Sequence, residues 1–244
     1  MADPHTYEPT RRRLLRDLTG AGVGVAGIGL IGCELAGDDA TTEAATTTAT
    51  DSATPSCTLS PELTEGPFYL DLDRVRRDIT EGKRGLGLDL RVKVVNASTC
   101  KPLEDVAVDI WHADAGGAYS GISQEGTAGK TYLRGIQLTG EKGVAQFRTV
   151  YPGWYEGRAI HIHMKTHLDG ETVHTGQLFF NESVNDRVVR LSPYNGRSGT
   201  RVRNSEDSIY REAGSGTLVR LRRRKASSFR KGLIGTITVG IEQS

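Results

Sequence analysis

The sequence predicts an all-β protein, a β-sandwich of mostly antiparallel strands with long loops that carry the functional side chains. Apolar and polar residues alternate over several short segments, which is the period of a strand with one buried face. Turn signals rich in glycine, proline and asparagine separate these segments, and 30 of the 244 residues are glycine. Short strands at this spacing favour a sandwich or a barrel, and helical periodicity is weak after the N-terminal region.

In the first of these segments, Leu88 and Leu90 alternate with Asp89 and Arg91. Segments of the same kind recur to the end of the chain. The predicted strands are Leu88–Val94, Val106–Ile110, Tyr132–Leu138, Val144–Val150, Ile160–Thr166, Thr175–Phe180, Thr217–Leu221 and Ile237–Ile241. Arg74–Glu81 is expected to form one or two turns of helix. The chain shows no internal repeat.

Residues 1–33 are predicted to be an export signal. Thr10–Arg16 places adjacent arginines before an apolar run, Leu18–Ile31, that is too short for a comfortable membrane span. The arginine pair resembles the twin-arginine consensus. Leu30–Cys33 resembles a bacterial lipoprotein box, so the protein is expected at the cell surface on a lipid at Cys33, or free in the periplasm or outside the cell after simple cleavage. A basic amphipathic N-terminus of a cytoplasmic protein is the alternative.

Residues 34–56 carry five acidic residues and no Lys or Arg, and are otherwise rich in Thr and Ala. Such a composition cannot bury apolar surface, so this segment is expected to be a disordered linker before a single domain at 57–244. Within that domain only Cys57 and Cys100 remain. An exported protein with an even number of cysteines usually pairs them, so a disulfide is expected, with two separate buried thiols as the alternative.

The charge balance by itself suggests no nucleic-acid or membrane partner, although a nucleic-acid patch at residues 220–225 stays open as an alternative. The formal net charge is only +1. The basic stretch Arg220–Lys225 contains no aromatic residue between its charges, so it is interpreted as a solvated face or edge of a late strand.

Two histidines on one strand are the first candidate metal ligands. In Ile160–Met164, a strand would place His161 and His163 on the same face, about 6.5–7 Å apart, where both could bind one ion. His167 lies on that face too if the strand continues, so a cupin-like site of three histidines stays open, as does a solvated histidine pair. His112 is interpreted as a hydrogen-bonding structural residue, and His174 as a solvated one.

Two tyrosines extend this candidate site. A tight turn at Pro152 and Gly153 would return Tyr155 toward the histidine strand, and a glycine loop after a buried strand presents Tyr119. A phenol titrates near 10 and ionises at neutral pH only beside a strong cation. Ferric iron matches two phenolates and two neutral imidazoles best, whereas zinc needs no such arrangement.

With these motifs in order, the sequence resembles the intradiol ring-cleaving dioxygenases from about Thr64 to Phe180. The family's two iron tyrosines sit in stretches that match Trp111–Ser120 and Pro152–Tyr155 here. Its iron histidines sit in a stretch that matches Arg158–His163, and its pocket glutamine falls on Gln177. The segment Thr64–Tyr69 looks like the family's pocket-lining entry segment.

The resemblance implies a non-haem Fe(III) held by Tyr119, Tyr155, His161 and His163, and no organic cofactor. It also implies that Tyr155 accepts a substrate proton, and that Arg158, assisted by Gln177, stabilises developing charge. The implied reaction cleaves a small catechol-type aromatic diol with O₂ between its two hydroxylated carbons to give a muconate-type diacid.

Two departures from the family leave questions open. The Arg-Pro-Ala of many members reads Arg158-Ala-Ile here, and no room exists before Cys57 for the helical dimerisation segment of catechol 1,2-dioxygenases. The identity of the diol therefore stays open, and so does the oligomeric state, with a homo-oligomer among the alternatives. A non-enzymatic surface module that binds a ligand is the remaining rival.

Overall fold

The computed structural model describes residues 57–242, so the predicted signal at 1–33 and linker at 34–56 lie outside the described residues. The strands of the described chain are β1 Gly87–Asn96, β2 Ala107–Trp111, β3 Arg134–Leu138, β4 Val144–Val150, β5 His161–Leu168, β6 Glu171–Phe179, β7 Arg220–Lys225 and β8 Ser228–Ile241. They form two four-stranded sheets with strand orders β4-β1-β8-β7 and β3-β2-β5-β6. The all-β sandwich predicted from the sequence is confirmed.

The hydrophobic core lies between the two sheets. Leu90 of β1, Phe147 of β4 and Val239 of β8 pack there from one sheet, and Ile110 and Ile162 pack from the other. Because successive strand residues point to opposite faces, the histidines on either side of Ile162 are directed to the outer face of the second sheet. The core pattern therefore decides which way the candidate ligands point.

Most pairings in the sheets are antiparallel, and β1 with β8 is the parallel exception among the named strands. Each predicted strand segment overlaps an observed strand. The last hairpin differs most, because residues Ser215–Thr217 form a 3-10 helix, so β7 begins at Arg220 and β8 begins at Ser228. β7 is an exposed edge strand, which confirms the interpretation of the basic stretch.

The expected helix at Arg74–Glu81 is wrong. The segment is extended, with parallel bridges from Val75 to Ile136 and from Asp78 to Arg148. It covers the outer edges of β3 and β4 while Ile79 is fully buried. Backbone pairing with two sheet edges overrides a weak local helical preference, because edge N–H and C=O groups need partners.

Two short helices were missed by the strand-based prediction. They are α1, Glu182–Val188, and α2, Ser208–Ala213. The side chain of Asn181 caps α1 and that of Asp207 caps α2, each by accepting backbone N–H groups of the first turn. Both helices lie in the connection between β6 and β7.

The expected disulfide is present between Cys57 and Cys100. It joins the start of the described chain to the turn that follows β1. In the described part of the chain, no helix is long and apolar enough to cross a membrane.

Candidate metal centre

The two histidines of β5 converge as their spacing predicts. His161 Nε2 lies 3.0 Å from His163 Nε2, and both rings are buried. His161 Nδ1 donates to the carbonyl of Ala159 at 2.7 Å, which leaves Nε2 as the nitrogen with a free lone pair. Trp111 of β2, the cross-strand neighbour of His163, stacks on its ring with centroids 5.0 Å apart. Backbone and aromatic contacts thus fix both imidazoles.

Two tyrosines from separate loops close on these rings. The ring of Tyr119 lies 5.9 Å from that of His163, and the ring of Tyr155 lies 5.6 Å from that of His161. The two phenol rings are 5.6 Å apart. Gly117 lets the first loop close, because its φ is +89° and a Cβ there would meet the Trp154 carbonyl oxygen at 2.1 Å. The structure therefore brings together all four candidate ligands.

Burial sets the protonation of these groups. It lowers the pKa of His161 to about 3, with the nearby charge of Arg158 acting in the same direction, and it lowers the pKa of His163 well below its ordinary value. Burial raises the pKa of Tyr119 well above its ordinary value, and the Tyr119 hydroxyl is buried without a hydrogen-bond partner. The site therefore offers neutral imidazoles and a phenol that needs a cation to ionise.

These residues fit a metal ion of the kind that the sequence implies. With metal–nitrogen bonds of about 2.1 Å, two imidazoles at a right angle have their nitrogens about 3.0 Å apart. The Nε2–Nε2 separation in the structure is 3.0 Å. The Tyr119 hydroxyl is buried without a hydrogen-bond partner, as expected of a group whose partner is a metal ion.

The cupin-like alternative with His161, His163 and His167 is wrong. His167 lies four residues after His163 and six after His161, which on an extended strand corresponds to about 13 Å and about 20 Å. A register shift lies between Thr166 and His167, and the hydroxyl of Thr172 is 3.1 Å from His167 Nδ1. Within residues 57–242, no three His, Cys, Asp or Glu side chains are grouped to hold a metal ion.

The guanidinium of Arg158 lies beside the tyrosine and histidine rings, held on three sides. Its Nη1 donates to the Tyr155 hydroxyl at 3.2 Å, its Nη2 donates to Gln177 Oε1 at 2.6 Å, and its Nε donates to Asp207 Oδ2 at 2.9 Å. Gln177 is itself held by donating to the Thr64 carbonyl at 2.9 Å. Both residues singled out beside the ligands, Arg158 and Gln177, therefore lie at the site.

Asp207 was missed by the sequence analysis. Its side chain is fully buried, and Oδ2 also accepts the Ala159 N–H at 2.8 Å, while Oδ1 accepts the N–H groups of Ile209 and Tyr210. Although burial acts to raise the pKa of Asp207, the bonds from Ala159 and Arg158 outweigh it and lower that pKa. The sequence could have suggested Asp207 only as the capping residue of a helix, and that role does not indicate a contact with Arg158.

The segment Thr64–Tyr69 lines the site, as the resemblance implies. Phe68 stacks on the ring of Tyr119 with centroids 4.4 Å apart and meets the ring of Tyr155 edge-on at 5.5 Å. Gly66 has φ +75°, and a Cβ there would lie 3.1 Å from the Cε1 of His163. This segment therefore covers the ligand cluster with aromatic surface.

The other two histidines have structural roles. His112 is buried and bonds the Ala113 carbonyl at 2.8 Å and the Thr149 hydroxyl at 2.7 Å, which confirms its interpretation. The prediction that His174 is solvated is wrong, because its ring is buried and its Nδ1 lies 2.7 Å from Glu62 Oε1. Glu62 also accepts the Thr175 N–H at 3.0 Å, so these contacts fasten the chain just before the entry segment to β6.

Comparison with known proteins agrees with this architecture. A family described as "Dioxygenase" matches residues 60–170. A chlorocatechol 1,2-dioxygenase of Cupriavidus pinatubonensis is 28% identical over 139 residues, 48% of this chain and 52% of that protein. A catechol 1,2-dioxygenase of Acinetobacter baylyi is 29% identical over 142 residues, 49% of this chain and 45% of that protein. The chain thus spans about half the length of these relatives.

Solved structures match over more of the chain. The intradiol ring-cleavage dioxygenase from Tetranychus urticae has a TM-score of 0.72 and 34% identity, covering 76% of this chain and 95% of that one. The dioxygenase domain of a carbohydrate-binding fusion protein from Streptomyces sp. SirexAA-E has a TM-score of 0.58 and 29% identity, covering 77% of this chain and 100% of that one. Fold and site define a dioxygenase-type sandwich, and this chain belongs to the intradiol ring-cleavage dioxygenase family.

Proposed function

We propose that the protein is an Fe(III)-dependent dioxygenase that cleaves a catechol-type ring between its two hydroxylated carbons to give a muconate-type diacid. The observation that carries the proposal is the convergence of two tyrosines and two neutral histidines beside an oriented arginine. The names of the relatives, chlorocatechol and catechol 1,2-dioxygenase, support the substrate class. No organic cofactor enters the proposal.

Tyr119, Tyr155, His161 and His163 would hold the iron. When bound, Fe(III) supplies Lewis acidity and a template that orients the diol and dioxygen. The two imidazoles remain neutral at physiological pH because burial lowers the pKa of each. Phe68 and Trp111 enclose the ligand rings and limit the access of water.

The remaining residues handle protons and charge. Tyr155 is less buried than Tyr119 and hydrogen-bonded to Arg158, so it is the tyrosine placed to accept a proton from a substrate hydroxyl. Arg158 presents a fixed positive charge where negative charge develops on the ring, and a preorganised donor of this kind needs no reorganisation during the reaction. Gln177 helps to hold the guanidinium in position by accepting a 2.6 Å hydrogen bond from Arg158 Nη2.

The test is oxygen uptake by purified, iron-loaded protein with catechol, protocatechuate, hydroxyquinol and chlorocatechols. We expect stoichiometric iron, a visible phenolate-to-iron absorption band, and one oxygen consumed per ring opened. Tyr119→Phe should lose iron or turnover, whereas Tyr210→Phe, a tyrosine of α2, should retain both. Full turnover by the Tyr119→Phe variant would remove the ligand assignment. Absence of iron and of oxygen uptake would instead favour a non-enzymatic binding module.

We also propose export by the twin-arginine route, with a lipid on Cys33 or release after cleavage. The Cys57–Cys100 disulfide supports an oxidising compartment, where such bonds form and persist. The arginine pair and Cys33 themselves lie outside the described residues.

A further inference from the structure

The side of the sandwich opposite the candidate metal centre carries an open groove of about 890 Å³. It crosses the outer face of the sheet β4-β1-β8-β7. The turn at 140–142 closes one end, and residues 215–218 close the other. The histidines of the metal centre belong to the other sheet, so this groove is a separate feature.

Four cations line the groove, namely Arg91, Lys93, Lys142 and Arg220, against one carboxylate, Glu141. Within residues 57–242, none of the four cations forms an ion pair. Two other arginines of the same sheet are paired, Arg148 with Asp78 and Arg224 with Asp89. Five other cations of this sheet, Arg222, Arg223, Lys225, Arg230 and Lys231, also form no ion pair within residues 57–242 and lie outside the groove. The groove differs from them in its concave shape and in the two cations that it takes from β1.

Sheet register brings these cations together. Gln146, Arg91, Thr236 and Arg220 form one row across β4, β1, β8 and β7. Lys93 and Thr238 are neighbours in the next row. Strand spacing then separates the Cα atoms of Arg91 and Arg220 by about 10 Å, and those of Arg91 and Lys93 by about 7 Å.

Protection of a sheet edge explains only part of this charge. Positive side chains on edge strands prevent unwanted strand pairing, which suits Arg220 on β7. Arg91 and Lys93 lie on β1, which has a neighbour on both sides. Edge protection therefore does not account for them, and two exposed cations about 7 Å apart on an interior strand, neither in an ion pair within residues 57–242, point to a negatively charged ligand.

We propose that this groove binds an acidic oligosaccharide through its carboxylate or sulfate groups. Hydroxyls of Thr236, Thr238 and Ser215 and the amide of Gln146 lie among the cations, so sugar hydroxyls find partners beside the anionic groups. Arg91 and Arg220 offer guanidinium groups that bind carboxylate or sulfate in a bidentate manner.

The lining disfavours nucleic acid as the occupant. Single-stranded nucleic acid binds by stacking its bases on aromatic side chains, and no aromatic residue is among the described groove-lining residues. The groove also lies on a sheet face, whereas reading a DNA duplex requires an element that enters its major groove. Sugar chemistry matches the mixture of cations and hydroxyls better.

The experiment measures binding of a fluorescent oligogalacturonate to the full-length protein at low ionic strength. Removing two cations in Arg91→Ala/Arg220→Ala should weaken binding about tenfold, the size expected for two exposed charge contacts. The control Arg190→Ala/Arg211→Ala removes the same charge from exposed positions outside the groove, and should bind as the wild type does. Neither pair of residues belongs to the candidate metal centre, so oxygen uptake should be unchanged in both variants. Unchanged oxygen uptake also shows that both variants fold correctly.

Parallel titrations identify the ligand class. A neutral glucose oligomer of matched length should not bind, and comparison of oligogalacturonate with a sulfated oligosaccharide distinguishes the two anionic groups. Equal losses in the control variant would overturn the proposal, because overall charge would then explain binding. So would duplex DNA that binds as tightly as oligogalacturonate and responds to the same substitutions, or failure of both acidic sugars to bind.

Discussion

Replacing Asp207 with serine separates two contacts of one buried carboxylate. Oδ1 caps α2, and Oδ2 accepts from Arg158 Nε and from the Ala159 N–H. Serine is also a good helix-capping residue, so Asp207→Ser keeps the cap and removes the acceptor that orients the guanidinium. Arg158 would then retain only its bonds to Tyr155 and Gln177.

The size of the effect follows from burial. The side chains of Arg158 and Asp207 are 15% and 0% exposed, so the pair is nearly dry. Removing one partner of a buried ion pair costs about 3–5 kcal/mol of stability, because the other charge stays buried without compensation. A fixed electrostatic donor contributes about 10²–10³ in rate, so we expect kcat per bound iron to fall about 10²-fold in Asp207→Ser.

The assay is a double-mutant cycle with Arg158→Met, with kcat, KM and iron content measured for all four proteins. If Asp207 acts through Arg158, the Asp207→Ser substitution changes kcat little once Arg158 is already replaced. The double variant should also be more stable than Asp207→Ser alone, because no buried charge remains unpaired. Asn181→Ala, which removes the cap of α1 away from Arg158, controls for general destabilisation of about 1 kcal/mol.

Two results would refute this reasoning. If the two rate losses multiply in the double variant, Asp207 does not act through Arg158. If Asn181→Ala lowers kcat as much as Asp207→Ser does, loss of stability explains the effect and orientation of the guanidinium does not.

Three further predictions concern stability and export. Cys57→Ser should lower the free energy of unfolding by about 4 kcal/mol from loop entropy, since the bond joins residues 43 apart, and an unchanged urea midpoint would contradict this. Burial lowers the pKa of His112 from 6.5 to about 4. Keeping His112 neutral therefore contributes about 3 kcal/mol to the free energy of unfolding above pH 6.5, and this contribution is lost as the pH falls toward 4. Metal-free His112→Asn should therefore lose less stability than the wild type over that range, and parallel pH profiles would exclude this role. Changing Arg11 and Arg12 to Lys should leave active enzyme in the cytoplasm, and unchanged export would remove the twin-arginine proposal alone.

The sandwich and the ligand types were predictable because both are local properties of the chain. Alternation of apolar and polar residues reports a half-buried strand within a few positions, and the spacing of His161 and His163 fixes their common face. The sequence motifs around Tyr119 and Tyr155 were enough to identify these two tyrosines as candidate ligands. Sequence alone also favoured a solvated strand edge over a nucleic-acid patch for the basic stretch, since aromatic residues are absent from it.

Predictions failed where a partner far along the chain decided the outcome. Residues Arg74–Glu81 are extended because they pair with strand residues about 60–70 positions later. His174 is buried because Glu62, 112 residues earlier, bonds it. Local propensities differ by less than about 1 kcal/mol per residue, so hydrogen bonding and burial by such distant partners override them.

By itself, the sequence determined the fold class, the four candidate ligands, and Arg158 and Gln177 as their neighbours. Tertiary structure decided the 3.0 Å approach of the imidazole nitrogens and the bond from Arg158 to Asp207, 49 residues away. It also decided the groove, since Arg91 and Arg220 become neighbours only through the register of β1, β8 and β7. The physical reason is that residue type and the period of the apolar pattern are properties of short segments. Strand register and long-range contacts are fixed only when the sheets form and exclude water.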